Sequence, residues 1–179
     1  FAEMIGFYSD FDNKTENCSV ANPCSNGDTS GSFTTGEAVI QGIELTAGNR
    51  FQAGDITIPV DLAYTYTKAE ISEDEGALGF EKGDRLADIP KNTFSLRAGL
   101  ETPMGWNNYM VAKYTDRLCS NIGCDNGSRL GRTDSLFVVD LISRYSVNPD
   151  TVVYAKVDNV FDRDEIVSRL PDGARPNKP

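Results

Sequence analysis

The 179-residue chain contains no histidine, and no stretch in it approaches 18 consecutive apolar residues. Without histidine there can be no Ser-His-Asp triad and no zinc-binding HExxH motif. Without a long apolar run there can be no transmembrane helix. The start, Phe1-Ala2-Glu3-Met4, has neither a basic region nor a cleavage site. We therefore expect no signal peptide, and an exported protein would be represented here by a mature piece or a fragment.

Further absences concern catalysis and nucleic acid. The chain has no nucleophile elbow, no glycine-rich phosphate loop and no metal-ligand cluster, so we expect neither an enzyme nor a bound cofactor or metal. The net charge is −10. Phosphate backbones are bound by basic surfaces, so nucleic acid is not an expected partner.

Four cysteines fall in two close pairs, Cys18 with Cys24 and Cys119 with Cys124. Zinc knuckles usually have two residues between their cysteines, whereas these pairs enclose five and four residues. Two local disulfides in an oxidising compartment fit the spacing better than a zinc site. We predict both disulfides in loops at the same end of one sheet.

Period-2 alternation of apolar and polar residues recurs along the chain, while helical periodicity is almost absent. In one run Val60, Leu62 and Tyr64 share a face, and Asp61 lies on the other. The same pattern recurs elsewhere: Leu96, Leu100, Val139 and Leu141 fall on the apolar face, and Arg97, Asp140, Arg144 and Lys156 on the polar face. The alternation predicts seven strands, approximately at 1–11, 37–51, 55–70, 90–102, 106–118, 135–147 and 151–162.

The connections between these strands alternate between long and short. Transmembrane barrels have short turns on the periplasmic side and long loops outside. The strands also exceed the usual length of about 5–6 residues in soluble proteins and suit a tilted crossing of about 9–11 residues. Tyr64, Tyr66, Phe137 and Tyr145 lie near strand ends, as interfacial aromatic residues do. The pattern favours an all-β, antiparallel transmembrane barrel wall, and a soluble or cell-surface all-β adhesion domain is the alternative.

Three segments give the chain a family resemblance. Val157-Asp158-Asn159-Val160-Phe161-Asp162-Arg163 resembles the "NLFD" segment in the penultimate strand of TonB-dependent receptors. Ile40-Gln41-Gly42-Ile43-Glu44-Leu45 is similar to the recurrent "GxE" strand of that family, and Leu86-Ala87-Asp88-Ile89-Pro90-Lys91-Asn92 to its "xxPxH/N" strand start. The three segments follow one another in the order expected for the family.

The resemblance implies that residues 1–179 are the C-terminal portion of a barrel of about 22 strands, roughly strands 15 to 21. The plug domain and the last strand would then lie outside the chain. The implied function is uptake of an iron chelate, of siderophore or ferric citrate type, across the bacterial outer membrane. Its implied partners are outer-membrane lipid and the TonB complex, which acts through the plug.

Arginine residues in one long connection are the candidate ligand contacts. Arg117, Arg129 and Arg132 surround the Cys119/Cys124 pair, and guanidinium groups suit the carboxylates of a citrate-type chelate. The alternative is that these arginines are solvated or form ion pairs with Asp116, Asp125 and Asp134.

Overall fold

The computed structural model describes residues 1–12, 15–20, 29–34, 36–74, 80–124, 131–169 and 173–177. Seven strands form one antiparallel sheet, and each strand of the sheet pairs with the next one along the chain. This confirms the predicted all-β meander. In chain order the strands are β1 Ala2–Phe11, β2 Thr15–Cys18, β3 Gly31–Thr34, β4 Ala38–Ala53, β5 Ile56–Ile71, β6 Asn92–Glu101, β7 Trp106–Thr115, β8 Leu136–Asn148, β9 Thr151–Val157, β10 Ile166–Ser168 and β11 Arg175–Pro176.

Two of the long connections contain short hairpins that the sequence pattern does not predict. Strand β2 pairs with β3, and β10 pairs with β11, so the main sheet consists of β1 and β4 to β9. None of the described residues forms a helix long and apolar enough to cross a membrane. The long connections all leave one end of the sheet, and tight turns such as the one at 53–56 join the strands at the other.

Strand β9 ends at Val157, five residues before the predicted end at 162. Asn159 stops it, because its backbone adopts φ 51°, a left-handed conformation that does not continue a strand. The Asn159 side chain bonds both backbone groups of Arg163 at 3.0 Å. The backbone N–H of Asn159 donates to Asp140 Oδ1 at 3.0 Å. The segment that resembles "NLFD" therefore forms a turn fixed to β8 by Asp140.

The register confirms that the predicted apolar residues lie together on one face of the sheet. Tyr64, Phe94, Tyr114 and Phe137 are direct cross-strand neighbours and form an aromatic row over four strands. Trp106 and Tyr145 form a second row, each eight residues along its strand from the first. Eight residues of strand span about 26 Å. Two aromatic rows at this separation, with aliphatic residues between them, are typical of a lipid-facing barrel surface.

The opposite face of the sheet carries a connected polar network near the short turns. Arg50 forms an ion pair with Glu101, whose other carboxylate oxygen accepts a hydrogen bond from Tyr109 Oη at 2.9 Å. The guanidinium of Arg97 lies 4.7 Å from the centre of the Tyr109 ring and 3.7 Å from the Asp61 carboxylate. These contacts hold the Tyr109 ring against the neighbouring strand.

Gly99 provides the space into which the Tyr109 ring packs. A Cβ at Gly99 would lie 2.6 Å from Tyr109 Cδ1 and 2.9 Å from Pro59 Cγ, closer than atoms can approach. Because Tyr109 is held at its hydroxyl and its ring, it cannot move away freely. We expect Gly99→Ala to lower the free energy of unfolding of the full-length protein by about 1–3 kcal/mol, the usual cost of overpacking.

Gly6→Ala is the matched control, since a Cβ at Gly6 meets nothing within 4 Å. This change should be neutral or slightly stabilising, because alanine restricts the unfolded chain more than glycine does. Urea unfolding of the protein folded into lipid vesicles gives the free energy of unfolding of both variants. Equal stability of Gly99→Ala and Gly6→Ala would contradict the packing role of Gly99.

A small hydrophobic core lies at the long-loop end of the sheet. Its buried members are Ala38, Ala69, Ile71 and Leu86, with Ile40, Phe80, Ile89 and Ile122 packed against them. The connection after β5 folds back here, and Leu86 N donates to the Ala69 carbonyl at 3.1 Å. Burial of these side chains gives the long connections a fixed structure.

Candidate ligand-binding site

The second cysteine pair organises the connection between β7 and β8. Cys119 and Cys124 form the predicted disulfide, with their Cα atoms 5.5 Å apart. Backbone hydrogen bonds join this loop to the preceding connection, from Asp88 N to Cys119 O at 2.8 Å and from Gly123 N to Arg85 O at 3.0 Å. The disulfide loop is therefore part of a folded layer of loops.

The first cysteine pair lies at the same end of the sheet. Cys18 is disulfide-bonded, and it follows β1, which runs in the same direction as β7. Cys24 lies outside the described residues, so the pairing of Cys18 with Cys24 stays a prediction.

A surface pocket of about 460 Å³ opens between the β7–β8 connection and the β10–β11 hairpin. Its lining is almost entirely polar and contains three arginines. The lining residues are Arg117, Arg132, Thr133, Asp134, Ser135 and Arg169. We refer to it as the arginine pocket.

The guanidinium groups of Arg117 and Arg132 make no hydrogen bond or ion pair with any described residue. Arg169 donates from its Nε to the Arg132 carbonyl, and its two terminal nitrogens make no hydrogen bond with a described residue. Asp134 is the single carboxylate among the lining residues, and its Oδ2 accepts a hydrogen bond from Ile166 N at 3.1 Å. Among the described residues, three guanidinium groups face one carboxylate, and this excess of positive charge makes the pocket the candidate site for an anion.

Strand β10 places Arg169 in the arginine pocket. Asp134 N donates to Ile166 O at 2.9 Å, and Ile166 N donates back to the Asp134 side chain. This pairing attaches the segment after β9 to the start of β8. Arg169, three residues beyond Ile166, then lies beside Arg132.

The structure brings two of the three sequence-predicted arginines together. Arg117 and Arg132 line one pocket, and Arg129 lies outside the described residues. Arg169 was missed by the sequence reasoning. The one local signal was a short apolar run, Ile166-Val167, ahead of an arginine, and this does not indicate which loop the segment contacts.

The alternative that these arginines are neutralised by neighbouring aspartates can be tested at two positions. Asp116 accepts from the backbone N–H of Arg117 at 2.9 Å and makes no ion pair with the Arg117 side chain. Asp134 bonds the backbone of Ile166. The two described aspartates thus hold main chain instead of guanidinium groups. Asp125, the third, lies outside the described residues.

Asp116 is part of a half-buried hydrogen-bond network that joins three strands. Asn92 Nδ2 donates to Asp116 Oδ2 at 3.1 Å, and Tyr64 Oη donates to Asn92 Oδ1 at 2.8 Å. Burial raises the pKa of Asp116, but the hydrogen bonds its carboxylate accepts and the nearby charge of Arg85 lower that pKa by more. The pKa of Asp116 therefore lies below its ordinary value, and the group is ionised at neutral pH.

A second depression, of about 500 Å³, lies on the apolar face of the sheet between the aromatic rows. Met110, Leu141 and Val157 line it together with small residues such as Ala98 and Ala155. Its lining includes the polar side chains of Asn108, Tyr109 and Ser143 but no charged one, so it offers no charge that could pair with an ionic ligand. The arginine pocket is the better candidate site for this reason.

Long strands in a sequential antiparallel sheet, with an apolar face between aromatic rows, define a transmembrane barrel wall. The TonB dependent receptor-like β-barrel family matches residues 2–160. The chain belongs to the family of TonB-dependent receptor β-barrels, a family of transport receptors. This assignment does not favour the soluble adhesion domain.

Individual relatives agree with the family assignment. The chain is 30% identical over 132 residues to the metal-pseudopaline receptor CntO of Pseudomonas aeruginosa PAO1, covering 73% of this chain and 18% of the relative. Identity to CntO of strain UCBPP-PA14 is 29% over 132 residues, with the same coverage. The ferric-catecholate import receptor Fiu of E. coli K12 superposes with a TM-score of 0.69 at 18% identity, over 99% of this chain and 23% of Fiu. The chain thus spans about a fifth of the length of these proteins.

Proposed function

We propose that the chain is part of the wall of an outer-membrane receptor that takes up an iron chelate, or a chelate of another metal, by TonB-driven transport. The observation that carries this proposal is the arginine pocket at the long-loop end of a TonB-dependent receptor barrel. Long loops of such barrels face the cell exterior. A pocket between them is therefore placed where a scarce nutrient first meets the receptor.

The chemistry of the pocket supports an anionic chelate as the ligand. Guanidinium groups bind carboxylates with paired, parallel hydrogen bonds. Arg117, Arg132 and Arg169 could engage more than one carboxylate of a ligand such as iron(III) citrate. Arg129 stays a predicted contact in the same connection. The names of the relatives, a metal-pseudopaline receptor and a ferric-catecholate import receptor, support a metal chelate as the class of ligand.

The position of the segment within its receptor is also part of the proposal. Residues 1–179 would form the C-terminal portion of the barrel, roughly strands 15 to 21 of about 22. The segment resembling "NLFD" and the sequential strand order support this placement. Energised uptake would require the plug domain, through which the TonB complex acts, and outer-membrane lipid would surround the apolar face.

Growth of a receptor-deleted bacterial strain, complemented with the full-length gene, tests the function. With iron supplied as iron(III) citrate, a catecholate chelate or a hydroxamate chelate, we expect the gene to restore growth on an anionic chelate. The double variant Arg117→Gln/Arg132→Gln should lower uptake of that radiolabelled iron chelate at least tenfold, because each lost charge-assisted hydrogen bond to a ligand costs about 1.5–3 kcal/mol.

Arg163→Gln is the matched control for this experiment. Arg163 is an exposed arginine close to the same hairpin, but it pairs with Glu165 at 3.6 Å and does not line the arginine pocket. Its replacement should leave uptake unchanged. Normal uptake by the Arg117→Gln/Arg132→Gln variant would refute the ligand role of the pocket. If the strain complemented with the wild-type gene failed to grow on every chelate, the transport proposal would be refuted.

A further inference from the structure

Arg85 is a buried arginine that makes no salt bridge with a described carboxylate, although its charge acts on nearby Asp116. Its residue is 6% exposed, and it forms no ion pair with any described residue. Instead, its Nη2 donates to two backbone carbonyls, those of Ile89 at 2.8 Å and Arg117 at 3.1 Å. Burying a guanidinium is costly unless hydrogen bonds and nearby charges offset the loss of hydration. One of the two carbonyls belongs to a residue of the arginine pocket.

The N–H side of Arg117 is held as well. Its backbone N–H donates to Asp116 Oδ1 at 2.9 Å. Asp116 is fixed in turn by Asn92, which donates from its side chain at 3.1 Å and accepts from Asp116 N at its carbonyl at 2.9 Å. Tyr64 Oη orients the Asn92 amide at 2.8 Å. The main chain of Arg117 is therefore held on one side by Arg85 and on the other by Asp116.

The Arg117 side chain, unlike its main chain, is not held by a described residue. The residue is exposed, and its guanidinium is not engaged by any described residue. Because the main chain of Arg117 is already fixed, ligand binding has to order only its side chain, so less freedom is lost than if the main chain were also mobile.

We propose that Arg85 and Asp116 are positioning residues that act through Arg117 to raise the affinity of the arginine pocket for an anionic, carboxylate-bearing metal chelate. The inference rests on the proposed function and adds to it the groups that set affinity without touching ligand. It also gives a role to the segment ending in Asn92, since that asparagine orients Asp116.

Binding of iron(III) citrate to the purified full-length receptor in detergent, measured by isothermal titration calorimetry, tests the proposal. In Asp116→Asn one carboxylate oxygen becomes an amide donor, so in the geometry described the side chain no longer accepts from both Arg117 N and Asn92 Nδ2, and the negative charge near Arg85 is removed. We expect affinity to fall about three- to tenfold, the range expected when one flexible side chain must be ordered on binding. The swap Asn92→Asp/Asp116→Asn restores one donor and one acceptor and should recover most of the affinity.

A double-mutant cycle separates positioning from a general effect on folding. In an Arg117→Gln background, Asp116→Asn should cause little further loss, because it acts through the guanidinium already removed. Arg85→Met is a second, independent variant with the same expectation. Only variants that keep the heat-dependent gel mobility of the folded receptor are compared. If Arg85→Met does not fold, Asp116→Asn, which replaces a single heavy atom, is sufficient for the double-mutant cycle.

The outcomes distinguish failure of this inference from failure of the proposed function. The positioning role would be overturned if Asp116→Asn lowered the affinity equally in the wild-type and Arg117→Gln backgrounds, or if neither Asp116→Asn nor Arg85→Met lowered it. In both cases, binding of iron(III) citrate by the wild-type receptor would still support the proposed function. If the wild-type receptor does not bind iron(III) citrate, the carboxylate-chelate role of the pocket fails and the inference fails with it.

Discussion

Replacing Leu141 with Arg should lower the free energy of unfolding of the full-length receptor by about 2–4 kcal/mol in a lipid bilayer. Leu141 lies on the apolar face, opposite Met110 and Val157 on the two neighbouring strands. On its own strand it is four residues from Phe137 and four from Tyr145, the members of the two aromatic rows. It therefore lies midway across the apolar band, where a charge is most costly.

Val111→Arg is the control for this prediction. Val111 is adjacent to Met110 along β7 but lies on the opposite, polar face, between Arg97 and Asp140 on the neighbouring strands. An arginine there would lie on the polar face, where Asp140 can offset its charge against that of Arg97, so we expect a cost below about 1 kcal/mol. Unfolding by urea in lipid vesicles gives both values. A cost below about 0.5 kcal/mol for Leu141→Arg, or equal costs at both positions, would contradict the assignment of faces.

The sheet could be predicted from sequence because its determinants are local. Alternation fixes which residues share a face, and a short connection fixes which strands are neighbours. Val60, Leu62, Leu96 and Val139 thus lie on the same face of the sheet, as expected. Within the seven-stranded sheet, errors were confined to strand ends, as at β9, where the left-handed turn at Asn159 overrides an alternating pattern that continues beyond it.

The site could be predicted only in part because its determinants are distant in sequence. Arg117 and Arg132 were identified because they lie on either side of one disulfide. Arg169 lies 37 residues from Arg132, and it reaches the pocket only because Ile166 pairs with Asp134. The contacts of Arg85 and Asn92 with the Asp116–Arg117 segment likewise join separate connections. The strand-start motif that ends in Asn92 is visible in the sequence, but Asp116, which Asn92 orients, cannot be identified from that motif.

Residues 1–179, expressed alone, should not form a stable monomer. In the described sheet β1 and β9 each have one partner, so each leaves a row of backbone N–H and C=O groups unpaired. Inside a bilayer each such group costs several kcal/mol, which is why closed barrels and not open sheets cross membranes. The two edge strands would have to pair with strands of the remaining barrel.

We do not expect the isolated segment to be stable in water either. Large apolar side chains on the edge strands are exposed, with Met4 72% and Val153 58% accessible, and the apolar face between the aromatic rows is exposed with them. An apolar surface of this extent exceeds what soluble monomers tolerate, and open edges recruit further chains. We therefore expect the segment to aggregate unless detergent is present, while the full-length receptor, purified in the same detergent, is monodisperse. Analytical ultracentrifugation without detergent decides the matter. A monodisperse segment that melts cooperatively would mean that its apolar face packs on itself, and the lipid-facing assignment would then have to be abandoned.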